Sequence, residues 1–312
     1  MTAPVFMVDD STLSCALASV KPGMTVVLSG PEARHAVTVR RLRESERVDL
    51  ADGAGTRIVG VVGAMQRGVK DELPVIVERV QTEEDSVAIL TLIQALAKGG
   101  RDEQAVETST EVGVHQVIPW QAARSISQWN GNKVAKGQAR WQAIAREAAK
   151  QARRSVIPEV LEPKNTRQLC IWIREQIQQG AYVALLHEEA TTSISQFLSS
   201  QKEQPHSTDD LSYVASPDGG SVSASNAGEE PTAVEVQHRS LGNATSSKAL
   251  SVAVIVGPEG GIGEEETRAL IEAGAIMVRL GPHVMRTSSA GSIALAVLAQ
   301  RAGLWEIENS EY

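Results

Sequence analysis

Aromatic residues are scarce in this sequence: two Phe, three Tyr and five Trp, 3% of 312 residues. A core must therefore come mostly from Val, Ile, Leu and Ala. A sheet that reads single-stranded RNA by rows of stacking aromatics is not expected. Cysteine is scarcer still. Cys15 and Cys170 lie far apart with no Cys-x-x-Cys. That excludes a disulfide scaffold and a cysteine-based zinc ribbon, and it suits a reducing cytoplasm. Long apolar runs are missing. The best, 290–299, falls well short of the roughly 18 residues a membrane helix needs, so no membrane partner is expected. The first residues lack a basic segment followed by an apolar one, so they do not read as a secretory signal. The phosphate-loop pattern GxxxxGK[ST], a complete GxGxxG, HExxH and GxSxG are all absent, and the six histidines show no ligand spacing. The common nucleotide, metalloprotease and serine-hydrolase readings have no support, and no metal is expected.

Positive charge is not in excess either. The net charge is -8, which taken alone argues against a polyanionic partner. Its distribution argues otherwise. Residues 131–167 hold nine bases against three acids, and 30–70 hold eight against five. Residues 200–250 hold seven acids against three bases, half of the net charge. A polyanion responds to the local field, and two zones are basic.

At about 150 residues per domain the length suggests two domains. Residues 1 to about 80 read as short strands at 24–28, 47–51, 56–62 and 73–80. Asp52-Gly53 marks a hairpin, and a short helix is expected at 31–41 behind Pro31 and Glu32. This spacing predicts a small barrel. From about Val87 strands alternate with helices. Strands are expected at 86–96, 115–120, 181–186, 252–257 and 275–281, and helices at 102–112, 134–154, 167–179, 264–273 and 289–304. That alternation predicts a mostly parallel α/β sheet. Residues 199–250 break the rhythm and read as a disordered insertion between two strands.

Two loops stand out. In VIVGPEGGIGEEE (254–266) a buried strand enters a loop with four glycines, then a helix with three glutamates in its first turn. Glycines let a ligand approach the backbone. A helix start ordinarily favours an anion, but Glu259, Glu264, Glu265 and Glu266 already supply negative charge. The loop suits a neutral or cationic ligand, or is simply a tight turn before an acid-capped helix. In LGPHVMRTSSAGSIAL (280–295) a strand again ends in Gly-Pro, followed by Arg286 and three hydroxyl residues able to cap a helix. Loops at the ends of neighbouring strands would face one crevice, where open α/β sheets bind ligands. AYVALLHEEA (181–190) offers a third such strand end. His115 and His187 also fall at strand ends.

Together these motifs resemble the SPOUT-class methyltransferases that methylate N3 of a uridine in bacterial small-subunit (16S) ribosomal RNA. The match runs through Gly257-Pro258-Glu259-Gly260-Gly261, then Leu280, Gly281, Pro282, Arg286, Thr287, Ala290 and Gly291. Upstream, 94–114, the Arg-Ser of IPWQAARSI and 140–160 resemble family segments, and 35–55 resembles the family's PUA-like barrel. Relatives often carry Thr-Glu after the Arg-Thr; here Ser288-Ser289 follow instead, so no carboxylate role transfers to them.

The resemblance implies a PUA-like RNA-binding β-barrel domain at 1–82. Behind it, at 83–312, stands an α/β SPOUT trefoil-knot methyltransferase domain carrying the insertion at about 199–250. It implies S-adenosyl-L-methionine as cofactor, a homodimer, a cytoplasmic location and small-subunit ribosomal RNA as partner. Leu185, Leu186, His187, Val256, Gly257, Pro258, Glu259, Gly260 and Gly261 are expected to hold the cofactor. Leu280, Gly281, Val284, Met285, Thr287 and Ala290 are expected to complete its site. Arg286 is the expected catalytic residue, placed to stabilise charge on the uridine ring. Glu259 stands in a plausible loop for the proton acceptor. Arg34, Arg40, Arg41 and Arg43 in the barrel, and Lys98, Arg101, Arg124, Lys150, Arg153 and Arg154 beyond it, are expected to meet RNA. The alternatives are a ribose 2'-O methyltransferase of the same fold and a non-catalytic ribosome-assembly protein that binds RNA.

Overall fold

Residues 3–83, 86–198 and 249–305 are described by the computed structural model. The expected insertion lies outside the described residues except for its last two positions.

The N-terminal sheet holds β1 (Val5–Met7), β2 (Thr25–Ser29), β3 (Arg47–Ala51), β4 (Thr56–Val62) and β5 (Glu72–Thr82), in the order β1-β3-β4-β5-β2. Its pairings are antiparallel except β1 with β3. β1 was not expected, because three apolar residues carry no period. The expected hairpin joins β3 to β4. Asp52 Oδ1 accepts the N–H of Ala54 at 2.7 Å and of Thr56 at 2.8 Å. Phe6, Leu28, Leu50, Ile58 and Leu73 form the centre of this unit's core. The helix expected at 31–41 is shorter and changes pitch. α1 (Pro31–Arg34) widens into a π-helical turn at His35–Val39, and Arg41 ends it at φ 54°.

The second sheet holds β6 (Ala88–Ala95), β7 (Gln116–Gln121), β8 (Glu159–Val160), β9 (Lys164–Asn165), β10 (Tyr182–Leu186), β11 (Leu250–Val256) and β12 (Ile276–Val278). The order is β12-β10-β11-β6-β7-β8, with β9 also on β7, and every pairing is parallel. Near-continuous apolar strands such as LSVAVIV follow from burial on both faces. The helices are α2 (Arg101–Val112), α3 (Asn132–Gln151), α4 (Thr166–Gln178), α5 (Ile194–Phe197), α6 (Glu264–Glu272) and α7 (Thr287–Arg301). Alternation along the strands sorts them. Leu90, Leu92, Val252 and Val254 meet α2, α3, α5 and α7, whereas Ile93, Ile255 and Val183 meet α4 and α6. The architecture is the expected one, an all-parallel α/β unit behind a smaller β unit whose sheet runs as an open path.

The two units are joined by buried contacts. Gly55 N–H bonds the Ser155 carbonyl at 3.1 Å, and Ile157 N–H bonds the Gly53 carbonyl at 2.9 Å. Val5, Met7, Ala51 and Ala149 share a small core with Ile157.

Candidate functional site

Because the second sheet is all parallel, every strand ends on one edge. Three of the loops leaving that edge carry the expected motifs. The two Gly-Pro loops do not follow neighbouring strands, however. They leave β11 and β12, and β10 lies between them. The loop after β10 therefore sits in the middle, with His187 N–H bonded to the Val278 carbonyl at 3.1 Å.

Thr287 locks this edge. Its hydroxyl donates to the Gly257 carbonyl at 2.7 Å and accepts from Gln94 Nε2 at 2.9 Å. It thus ties the ends of β6 and β11 to the start of α7. The expectation that hydroxyls would cap α7 is corrected: Arg286 is the N-cap residue, without a side-chain cap bond. Gly291 permits the close approach of α7. A Cβ there would stand 2.7 Å from Leu92 Cδ1 and 3.2 Å from Val256 Cγ2. Gln94 was missed in the sequence. A wholly buried amide at the end of an otherwise apolar strand is the signal that could have found it, and its Oε1 has no hydrogen-bond partner.

The glycine loop is held from outside by its acids. Glu259 Oε1 accepts the N–H of Lys98 at 3.0 Å and Arg101 Nη1 at 3.0 Å. Burial alone would raise its carboxyl; its own N–H, that of Lys98 and Arg101 outweigh this and hold it below the usual range. Glu266 Oε1 accepts the N–H of Ala123 at 2.9 Å and the Thr166 hydroxyl. Arg124 lies along the same loop, with Nη1 3.3 Å from the Gly260 carbonyl. A side chain at Gly257 would collide with Ile262 at 2.6 Å, and Gly261 takes φ 70°. Pro258 and Val256 are buried, whereas Gly260 and Gly261 are exposed.

The loop after β12 stands open. A Cβ at Gly281 would meet nothing within 4 Å, and Val284, at 78% exposure, Met285 and Arg286 face solvent. The Arg286 guanidinium has no ion pair or hydrogen bond among the described residues. Leu185 is buried, Leu186, His187 and Leu280 are half-buried, and Ala290 is buried under the start of α7. The structure thus brings the expected cofactor residues to one edge. Their open backbone, between acids that would repel a phosphate, fits a cationic cofactor.

The expected RNA contacts divide. Arg34, Arg40, Arg41 and Arg43 are exposed in the first unit, as are Lys98, Arg101, Arg124 and Arg153 in the second. Lys150 and Arg154 are a correction. Lys150 Nζ pairs with Glu32 Oε2 at 2.7 Å across the two units. Arg154 Nη1 donates to the carbonyls of Thr110 and Val114, both at 2.8 Å, and burial lowers its pKa. Both cations are committed to partners within the protein, Lys150 from the last turn of α3 and Arg154 from just beyond its end at Gln151. His115 is likewise structural, accepting the Leu90 N–H at 3.1 Å through Nδ1. No cluster of three metal-ligating side chains occurs among the described residues.

Comparison with known proteins agrees with this geometry. A family model described as an RNA methyltransferase domain matches residues 83–227 and 225–299, and one described as an RNA methyltransferase PUA domain matches 28–68. The ribosomal RNA small subunit methyltransferase E of Mycobacterium bovis is 35% identical over 289 residues, 93% of this chain and 91% of its own length.

The chain belongs to the ribosomal RNA small subunit methyltransferase E family.

A second member, from Bacillus subtilis, is 26% identical over 288 residues, 91% of this chain and 93% of its own. A solved member of the family from Neisseria gonorrhoeae, bound to S-adenosyl methionine, shares the fold at TM-score 0.66 and 21% identity. That match covers 96% of this chain and 98% of the other.

Proposed function

We propose that this chain transfers a methyl group from S-adenosyl-L-methionine to N3 of one uridine in small-subunit ribosomal RNA. The observation that carries the reading is the Thr287 lock, which fixes the glycine loop against the start of α7 where Arg286 emerges. When bound, the cofactor supplies an electrophilic methyl on a positively charged sulfur. Residues 185–187, 256–261 and 280–290 would hold it, mainly through backbone groups.

Uridine N3 carries a proton and pairs in a duplex, so the base must first leave its stack, at a cost of a few kcal/mol. As N3 gives up its proton to solvent water, negative charge grows on the ring and its carbonyl oxygens. The Arg286 guanidinium, without a partner among the described residues, is placed to meet that charge. Glu259 is a weak proton acceptor, because the Lys98 N–H and Arg101 occupy its Oε1 and lower its affinity for a proton. The RNA would be gripped by Arg34, Arg40, Arg41 and Arg43 on one unit and by Lys98, Arg101, Arg124 and Arg153 on the other. A homodimer, a cytoplasmic location, a target in the decoding region and the assembled small subunit as substrate belong to this reading. So does the division into a PUA-like unit at 1–82 and a methyltransferase unit at 83–312.

The test is transfer from labelled cofactor to small subunits lacking the modification, followed by reverse transcription. N3 methylation blocks the pairing face, so a stop at a single uridine is expected. Label without a stop would indicate ribose methylation. Cofactor binding without label would sink the reading. Binding itself is checked by melting: cofactor at 100 times its Kd should add about 2.7 kcal/mol of stability.

A further inference from the structure

A cavity of about 450 Å³ opens beside the glycine loop, between the start of α2 and the first half of α3. Ala97, Gly99 and Gly100 form one wall, Trp129 and Gly137 another, and Lys133 and Lys136 stand on the rim. None of the motifs that mark the cofactor site contributes to it. The two sites touch through one link, since Glu259 binds the Lys98 N–H and Arg101 at the edge of the first wall.

Its chemistry is aromatic on one side and cationic on the other. The Trp129 indole is set against the backbone of α3: a Cβ at Gly137 would stand 2.5, 2.6 and 2.7 Å from three of its ring atoms. Glycine at 137, inside a helix where it costs about 1 kcal/mol against alanine, makes room for that ring. The indole also meets Trp141 edge-on, with centroids 5.2 Å apart. Trp129 is therefore a fixed platform rather than a loose surface residue.

The charges are placed against the helix. Lys133 and Lys136 lie in the first turns of α3, which has no acid in its first turn. Cations at a helix start oppose the macrodipole. Among the described residues neither lysine has an ion pair. Glu103, a half-buried carboxylate lining the same cavity, is already taken by Arg140 at 2.7 Å. Asp102 is buried, with its oxygens on the N–H groups of Ala97 and Glu103. Among the described residues, two ammonium groups and a helix start thus face an opening whose two carboxylates, Asp102 and Glu103, are already bonded elsewhere.

Building on the reading above, we propose that this cavity takes an unpaired nucleotide of the RNA strand. Its base lies against Trp129 and its phosphate meets Lys133 and Lys136. A planar aromatic ring carrying an anion at its edge matches both walls, and stacking on a fixed indole accepts any base. The place beside the cofactor loop suits a nucleotide flanking the methylated one.

The test uses the full chain and a labelled single-stranded RNA of about ten nucleotides, with anisotropy read over a salt series. Lys133→Gln with Lys136→Gln should flatten the slope of log affinity against log salt by about 0.7, the value for one phosphate of a single strand that is no longer neutralised. Trp129→Leu should weaken binding between about 5-fold and 150-fold, and Trp129→Phe far less. All three should keep the melting rise caused by S-adenosylmethionine, which separates weakened RNA binding from misfolding. Unchanged slope and affinity in the lysine variant would overturn the proposal. So would intact binding of naked RNA with abolished binding of the ribosomal particle, which would assign the cavity to a ribosomal protein. Failure of the wild-type chain to methylate any particle, with these RNA effects intact, would instead remove the uridine-N3 reading and leave the cavity standing.

Discussion

Arg286 is distinguished by having no partner among the described residues. Arg101, Arg124 and Arg154 around the same sheet all bond other groups, whereas its guanidinium stays free beside the Thr287 lock. A charge that is preorganised but unspent is what a developing anion requires. Arg286→Ala should therefore lower turnover about 100-fold or more while changing cofactor affinity little. Single-turnover rates and the cofactor-induced melting shift check this together, and equal losses in both would make it a binding residue. At this scale the motif was legible from Arg-Thr alone, because spacing fixed the residue next to a strand end. The partners Gln94 and Gly257 were not, since they lie 193 and 30 positions away from Thr287.

The element that decides the site is α7. Nine of its residues are buried, and most are small. Alanine ordinarily favours a helix over glycine by about 1 kcal/mol, but at position 291 the new methyl would strike Leu92 and Val256, both in the closed core. Gly291→Ala should thus destabilise by about 1–3 kcal/mol, the range for overpacking, and should weaken cofactor binding by shifting Thr287. Denaturant midpoints give the sign, and a stabilised variant would show that α7 has room to move.

The junction of β6 and β7 makes a second prediction. Burial, then the Arg154 charge, pushes His115 below its ordinary value of 6.5. The unfolded chain therefore takes up this proton first. The contribution is complete above pH 6.5 and fades as pH falls through that value toward the folded one. Melting temperature should drop from about pH 7 to about 5.5 more steeply in the wild type than in His115→Asn, whose side-chain oxygen can still accept the Leu90 N–H. Parallel curves would show that other groups set the slope. Sequence reading placed most strands and helices to within a few residues, because period and glycine stops are local. It overran the end of α3 and expected one continuous helix over 31–41, where α1 instead widens into a π-helical turn.

Across the whole molecule the two units are held by Lys150 on Glu32, with the Lys150 ammonium 5.6 Å from the Phe6 ring centroid. Both side chains of this pair are mostly buried, at 14% and 20% exposure. Lys150→Met would leave Glu32 half-buried without its cation. The cost should lie at roughly 1–3 kcal/mol, between the values for exposed and buried pairs. RNA affinity should keep its full salt slope in this variant, because the ammonium is not free to meet phosphate. A flattened slope would return Lys150 to the RNA surface.

Composition and strand rhythm were enough for the α/β class, and the motifs of two glycine loops carried the resemblance to the family. They are local properties, written in consecutive residues. Tertiary structure alone decided which cations are available and which loops adjoin. It set β10 between β11 and β12, packed Lys150 and Arg154 against carbonyls and a carboxylate, and brought Trp129 onto Gly137 beside Lys133 and Lys136. Charge and aromaticity can be counted along a chain, but whether a group is free depends on what lies within a few ångströms, and that is fixed only when distant segments pack.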